Sequence, residues 1–112
     1  MLRVINLEDG LPTVEQAVKR LNLEVMLARK QKIRVLKIIH GYGSTGKGGK
    51  IRVDCRKELE SMQRRGLVKF FVIGESLSIF DENTRKITAL SPEFRKDSDI
   101  DRFNSGVTVA VL

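Results

Sequence analysis

Short apolar runs alternate with longer polar stretches along this chain, and the period of each run predicts an element. Arg3 to Leu7 (RVINL) alternates apolar and polar side chains, the period of a strand with one covered face. Glu8-Asp9-Gly10-Leu11-Pro12 follows as a turn. Thr13 and Gln16 stand at capping-box spacing, in which the threonine oxygen accepts from the third helical N–H and the glutamine reaches back to the cap. Val14, Ala17, Val18, Leu21, Val25 and Ala28 then share one helical face, so a first helix is predicted from Thr13 to about Lys30.

Ile33 to Ile39 (IRVLKII) is rich in β-branched residues and too short for a typical helix, which makes it a central strand. From about Gly49 onward, Ile51, Cys55, Leu59 and Met62 recur at helical spacing and predict a second helix. Arg64 and Arg65 suit its negative end, and Gly66 can supply the left-handed residue that stops it. Leu67 to Ile73 (LVKFFVI) and Val107 to Leu112 (VTVAVL) are the third and fourth strands. Between them, residues 74–106 are polar, with Phe80, Ile87, Leu90, Phe94 and Phe103 scattered among charges. Asp81 is placed to cap a short helix that runs to about Leu90 and ends at Ser91-Pro92. A structureless connection of this length is unusual in a compact domain, so the segment is expected to pack on the sheet.

At 112 residues, one domain spanning 1–112 is the expectation, and 41% hydrophobic with 31% charged residues is the composition of a globular chain. No apolar run approaches the ~20 residues of a membrane span, and no signal-peptide pattern follows Met1. No membrane association is therefore expected. The single cysteine, Cys55, cannot form an internal disulfide and reads as a small core residue of a cytoplasmic protein. The net charge of +7 is unevenly placed. Between Arg29 and Lys69, thirteen lysines and arginines face three acids, whereas from Ser76 to Leu112 five face six. A basic centre of this kind predicts a polyanionic partner, because Lys and Arg displace counterions from phosphates.

That basic centre contains His40 to Arg52, HGYGSTGKGGKIR. Gly41, Gly46 and Lys47 have the spacing of a nucleotide-binding P-loop between a strand and a helix. Gly48 stands where that motif needs a magnesium-binding Ser or Thr, and no strand ends in the required Asp, which disfavours ATP or GTP hydrolysis. The physical content of the loop remains. Gly41, Gly43, Gly46, Gly48 and Gly49 let backbone N–H groups approach an anion at a helix N-terminus. Lys47, Lys50 and Arg52 add charge there, with Arg56 one turn further on, and Tyr42 is the loop's one strong candidate for stacking on a base. His40 ends the second strand, where it either meets a phosphate as donor or general base, or bonds backbone as a structural histidine. It is the only histidine, and no Cys/His cluster offers a zinc site.

These residues resemble the Smr (small MutS-related) domain family. His40-Gly41-Tyr42-Gly43 matches its His-Gly-x-Gly motif, and Ile51-Arg52 its apolar-Arg pair opening a helix. Thr13-Val14-Glu15-Gln16-Ala17 looks like its first-helix opening, and Gly106 to Leu112 is similar to its closing strand. The resemblance implies an α/β fold of the two-layer α+β sandwich type, ordered βαβαββ and similar to the C-terminal domain of translation initiation factor three. It further implies binding of DNA or RNA, with nicking or endoribonuclease activity in some members. His40, Gly41, Gly43 and Arg52 carry over by position, whereas 46–50 fall in a loop longer than the family's usual one.

The chain departs from the family at its first motif, Leu-Asp-x-His-Gly. Ile5-Asn6-Leu7-Glu8 takes that place when aligned from the strand, and Glu8 and Gly10 meet the Asp and the His when aligned from the helix. Neither register supplies the histidine. The 74–106 connection, a long insertion before the last strand, is a second departure. The function expected is phosphate-directed nucleic-acid binding without strong sequence specificity. Its alternative is an endonuclease in which His40 moves a proton and Glu8 or Asp9 replaces the missing base or helps bind magnesium or manganese. Further alternatives are a small-phosphate or nucleotide binder, and a protein-interaction module using 74–106.

Overall fold

The computed structural model describes residues 1–41 and 48–112. Strand β1 (Leu2–Asn6) leads to helix α1 (Val14–Lys30), strand β2 (Val35–Ile39), helix α2 (Gly48–Arg64) and strand β3 (Phe70–Ile73). Helix α3 (Glu82–Leu90), flanked by 3-10 turns at Gly74–Ser76 and Pro92–Lys96, precedes strand β4 (Val107–Val111). The strands form one mixed sheet in the order β1-β2-β4-β3. β1 and β2 are parallel, and β4 runs antiparallel to both β2 and β3. Three strands therefore point one way and only β4 opposes them.

Local chemistry accounts for the boundaries. The Thr13 cap forms as its spacing requires, its hydroxyl accepting from Gln16 N while the Gln16 side chain accepts from Thr13 N. At the far end of α1, Lys32 N–H bonds Arg29 O and Ile33 N–H bonds Ala28 O, a Schellman closure with Lys32 at φ 61°. No glycine announces this stop, and it delays β2 to Val35 instead of the expected Ile33. Helix α2 closes the same way on Gly66, at φ 78°, with Leu67 N–H bonded to Met62 O. That closure consumes Leu67 to Lys69, so β3 starts at Phe70 and not at the expected Leu67. Asp81 caps α3 by accepting from Thr84 N at 2.8 Å.

The expected two-layer sandwich is corrected to three layers. On one face of the sheet, Ile5, Leu36, Ile38 and Ala110 pack against Leu21 and Val25 of α1 and Cys55, Leu59 and Met62 of α2. On the other face Val35, Val72, Val107, Val109 and Val111 pack against Leu77, Ile87 and Phe94 of the 74–106 insertion. Covering on both faces is why β2 and β4 are apolar almost throughout, while outer β1 leaves Val4 exposed. The radius of gyration is 13.0 Å, as for a compact chain of this length, so the insertion folds back onto the body.

Charge fastens that third layer. Lys37 lies in central β2 with only 7% of its surface exposed, its Nζ 2.8 Å from Asp97 Oδ1 and 2.6 Å from Asp99 Oδ2. Burial alone would push the lysine pKa down, but the bonds to both carboxylates outweigh it and hold the pKa above its usual value. Asp99 also accepts from Asn104 Nδ2, and the Asn104 side-chain oxygen accepts from Gly106 N. At Gly74 the insertion lies so close that a Cβ would overlap the Asn104 carbonyl.

Candidate functional site

Because β1, β2 and β3 run in one direction, their carboxyl ends share one edge of the sheet with the amino end of β4. Ligands of open α/β sheets bind at such an edge. Glu8 follows β1, His40 and Gly41 follow β2, and Gly74 and Glu75 follow β3. Ser105 to Thr108 enter β4 at the same edge, tied to β2 by Gly106 O, which accepts from both His40 N and Gly41 N at 3.0 Å. Helix α2 begins beside this edge at Gly48 and Gly49, with no acidic residue in its first turn.

His40 is fully buried. Its Nδ1 is 2.8 Å from Gly41 O and its Nε2 is 2.9 Å from Thr108 Oγ1. A carbonyl only accepts, so Nδ1 carries the proton and Nε2 accepts from the threonine hydroxyl. The same hydroxyl oxygen accepts from Arg56 Nε at 3.0 Å. Both imidazole nitrogens are thus spent inside the fold. Burial is the largest cause of a pKa lowered from 6.5 to about 4; the Gly41 carbonyl opposes it, and the charges of Arg56 and Arg52 add to it. The ring is neutral at physiological pH. Of the two roles open to His40, this geometry describes the structural one.

Arg56 completes the network. Its guanidinium forms a fork on the Glu75 carboxylate, at 3.1 Å and 2.8 Å, and also donates to Ser105 O and Val107 O. Burial tends to raise the Glu75 pKa, yet the bonds from Arg56 prevail and hold it below its usual value. The anion that Arg56 meets among the described residues is the Glu75 carboxylate. Its donors are committed to β4 and Glu75, and it serves to fix Thr108 and the entry to β4.

Other expected residues stay at the edge. Gly41 has φ 82°, and a Cβ there would lie 2.6 Å from Glu8 Oε2, so the Glu8 carboxylate closes directly over the strand end. Glu8 is thereby brought beside Gly41, while exposed Asp9 has its carbonyl bound to Arg20 Nη1 at 3.0 Å. Gly48 and Gly49 open α2, Lys50 is exposed, and Arg52 is half-buried. Neither Lys50 nor Arg52 forms an ion pair among the described residues. Tyr42, Gly43, Gly46 and Lys47 lie outside the described residues.

Thr108 and Glu75 were not singled out from the sequence, although each decides how a neighbour behaves. Thr108 carries a signal, being the one hydroxyl in the otherwise apolar run VTVAVL. Glu75 carries none, because nothing local to it points to Arg56. Cys55 is buried in the core, where burial pushes its thiol up to about 12 and leaves it protonated. Among the described residues, no three His, Cys, Asp or Glu side chains gather to hold a metal ion, and no helix is long and apolar enough to cross a membrane.

Comparison with protein-family models, curated proteins and solved structures finds no match to this chain.

Proposed function

We propose that the chain is an Smr-like cytoplasmic domain that binds DNA or RNA by its phosphates and does not cut it. One observation carries this reading. The N-terminal end of α2 opens beside the carboxyl ends of three strands with no acid in its first turn, and Lys50 and Arg52 stand there without ion partners among the described residues. A positive helix end attracts a phosphate oxygen, and the two cations strengthen that attraction. A net charge of +7 extends the field beyond a single phosphate. The order βαβαβ, an insertion, then β agrees with the fold that the family resemblance implies.

The state of His40 favours binding over cleavage. Phosphodiester hydrolysis needs a group that accepts a proton and another that returns it. A fully buried imidazole with both nitrogens bonded offers neither to a bound strand. The experiment incubates the protein with labelled single-stranded and duplex DNA and RNA, with and without magnesium or manganese, and reads binding and product length together. Bound, intact oligomers are expected. Cleavage that disappears in His40→Ala would overturn the reading, as would saturation by a mononucleotide with no gain from longer chains.

A further inference from the structure

Two arginines of the 74–106 insertion line one cavity that holds no acid. The cavity has a volume of about 300 Å³. Thr84, Arg85 and Thr88 reach it from α3, Arg95 from the 3-10 turn that follows, and Ile79 and Ile100 from the flanking connections. Among the described residues no acidic side chain lines it, and neither arginine forms an ion pair. The near-neutral count of this part of the chain hides that surplus, because several of its acids are engaged elsewhere. Asp81 accepts from the amide and the hydroxyl of Thr84, Glu82 pairs with Lys86, and Asp97 and Asp99 hold Lys37. Like charges gathered at one cavity repel each other, and an anion bound between them removes that cost.

The walls are held in place. Ser78 N–H donates to Thr84 Oγ1 at 3.3 Å, and Asp101 N–H donates to Leu77 O at 2.8 Å, which ties together the two connections that carry Ile79 and Ile100. Arg85 Nη1 donates to Ile79 O at 3.3 Å, spending one of the five guanidinium N–H groups and steadying the rest. The threonine hydroxyls donate within the insertion, Thr84 to Asp81 and Thr88 to Arg85 O, so the guanidinium groups are the donors left for a ligand. A guanidinium fork matches a carboxylate in two parallel hydrogen bonds. The isoleucines offer an apolar wall that a bare inorganic anion would leave uncovered. A volume of about 300 Å³ is at the small end for ligand cavities and suits a body such as one ring or a branched alkyl group. We propose that this cavity binds a small organic carboxylate, its head on Arg85 and Arg95 and its apolar body against Ile79 and Ile100. The site lies on the sheet face opposite α2, and it stands or falls independently of the phosphate-binding reading.

The test titrates the full chain with benzoate and with isovalerate and follows amide and methyl shifts by NMR. Saturation with a Kd of about 1 mM is expected for at least one of them, as for other ligands of this size. The shifts should be confined to the residues that line the cavity and their immediate neighbours. Benzyl alcohol, which keeps the ring and lacks the charge, should bind at least about tenfold more weakly, and inorganic phosphate likewise. Arg85→Gln and Arg95→Gln should each weaken carboxylate binding by about tenfold. Both side chains are exposed, so both variants should melt as the wild type does. Arg95→Lys keeps the charge without the fork and should recover only part of the loss. Lys86→Gln removes the same charge from α3 outside the cavity and should change nothing. The proposal is overturned if neither carboxylate saturates, if benzyl alcohol binds as well as benzoate, or if the arginine variants bind as the wild type does. Shifts centred on the start of α2 would overturn it too, since they would report a general attraction of anions to the basic face.

Discussion

An imidazole with both nitrogens bonded inside the fold has no proton or lone pair left for a substrate, and that fact about His40 organises its surroundings. Thr108 donates to it, Arg56 fixes Thr108, and Glu75 balances Arg56. Burial makes the charged imidazole costly, which has a consequence for stability. In the unfolded chain His40 takes up a proton below about pH 6.5, whereas the folded protein resists until about pH 4. Stability from this residue is complete above pH 6.5 and falls as the pH drops toward 4, by about 3 kcal/mol across that window. Denaturant unfolding at pH 7 and pH 4.5 checks this. His40→Ala should be less stable at pH 7 by about 2–3 kcal/mol, because a buried hydroxyl loses its partner, and its pH dependence over the window should flatten. An unchanged slope in the variant would place the titration elsewhere.

At the scale of elements, the third layer is held by one lysine and two carboxylates. Lys37→Ala leaves Asp97 and Asp99 partly buried without a counter-charge, and removing one partner of such a pair costs about 3–5 kcal/mol. Amide exchange in 97–106 should accelerate more than exchange in α1, and protection that stays even across the chain would contradict the fastening role. Many elements were legible beforehand because their signals are local: the Thr13 and Asp81 caps, the Gly66 stop, and the helical spacing of Ile51, Cys55, Leu59 and Met62. The strand starts after α1 and α2 were misplaced because Schellman closures absorb residues that look extended, and Lys32 closes α1 without a glycine. The third layer was half-legible. Apolar runs without alternation in β2 and β4 imply two covered faces, and the charge of Lys37 inside the β2 run VLKII implies a buried partner. The identity of that partner, 60 residues away, was not legible. The candidate site divides the same way. Its backbone frame at Gly41 and the α2 start follows from the sequence, whereas the pairing of Arg56 with Glu75 and of His40 with Thr108 depends on how β3 and β4 meet.

Across the whole molecule, a surplus of positive charge combines with an edge where the carboxyl ends of three strands meet one helix, α2, whose N-terminal end is positive. A general basic surface and a defined phosphate site both bind nucleic acid more weakly as salt rises, so the fall itself does not separate them. Where the fall is lost separates them. Each phosphate contact removed flattens the plot of log affinity against log salt by about 0.7–0.9. The most direct measurement is therefore the salt slope for a fixed single-stranded oligomer, compared among wild type, Lys50→Gln/Arg52→Gln, and Lys86→Gln on α3. The double variant should flatten the slope by about 1.4–1.8, twice the value for one contact, and Lys86→Gln should leave it unchanged. Equal flattening by the two variants, or an unaltered slope in the double variant, would contradict a phosphate site at the start of α2.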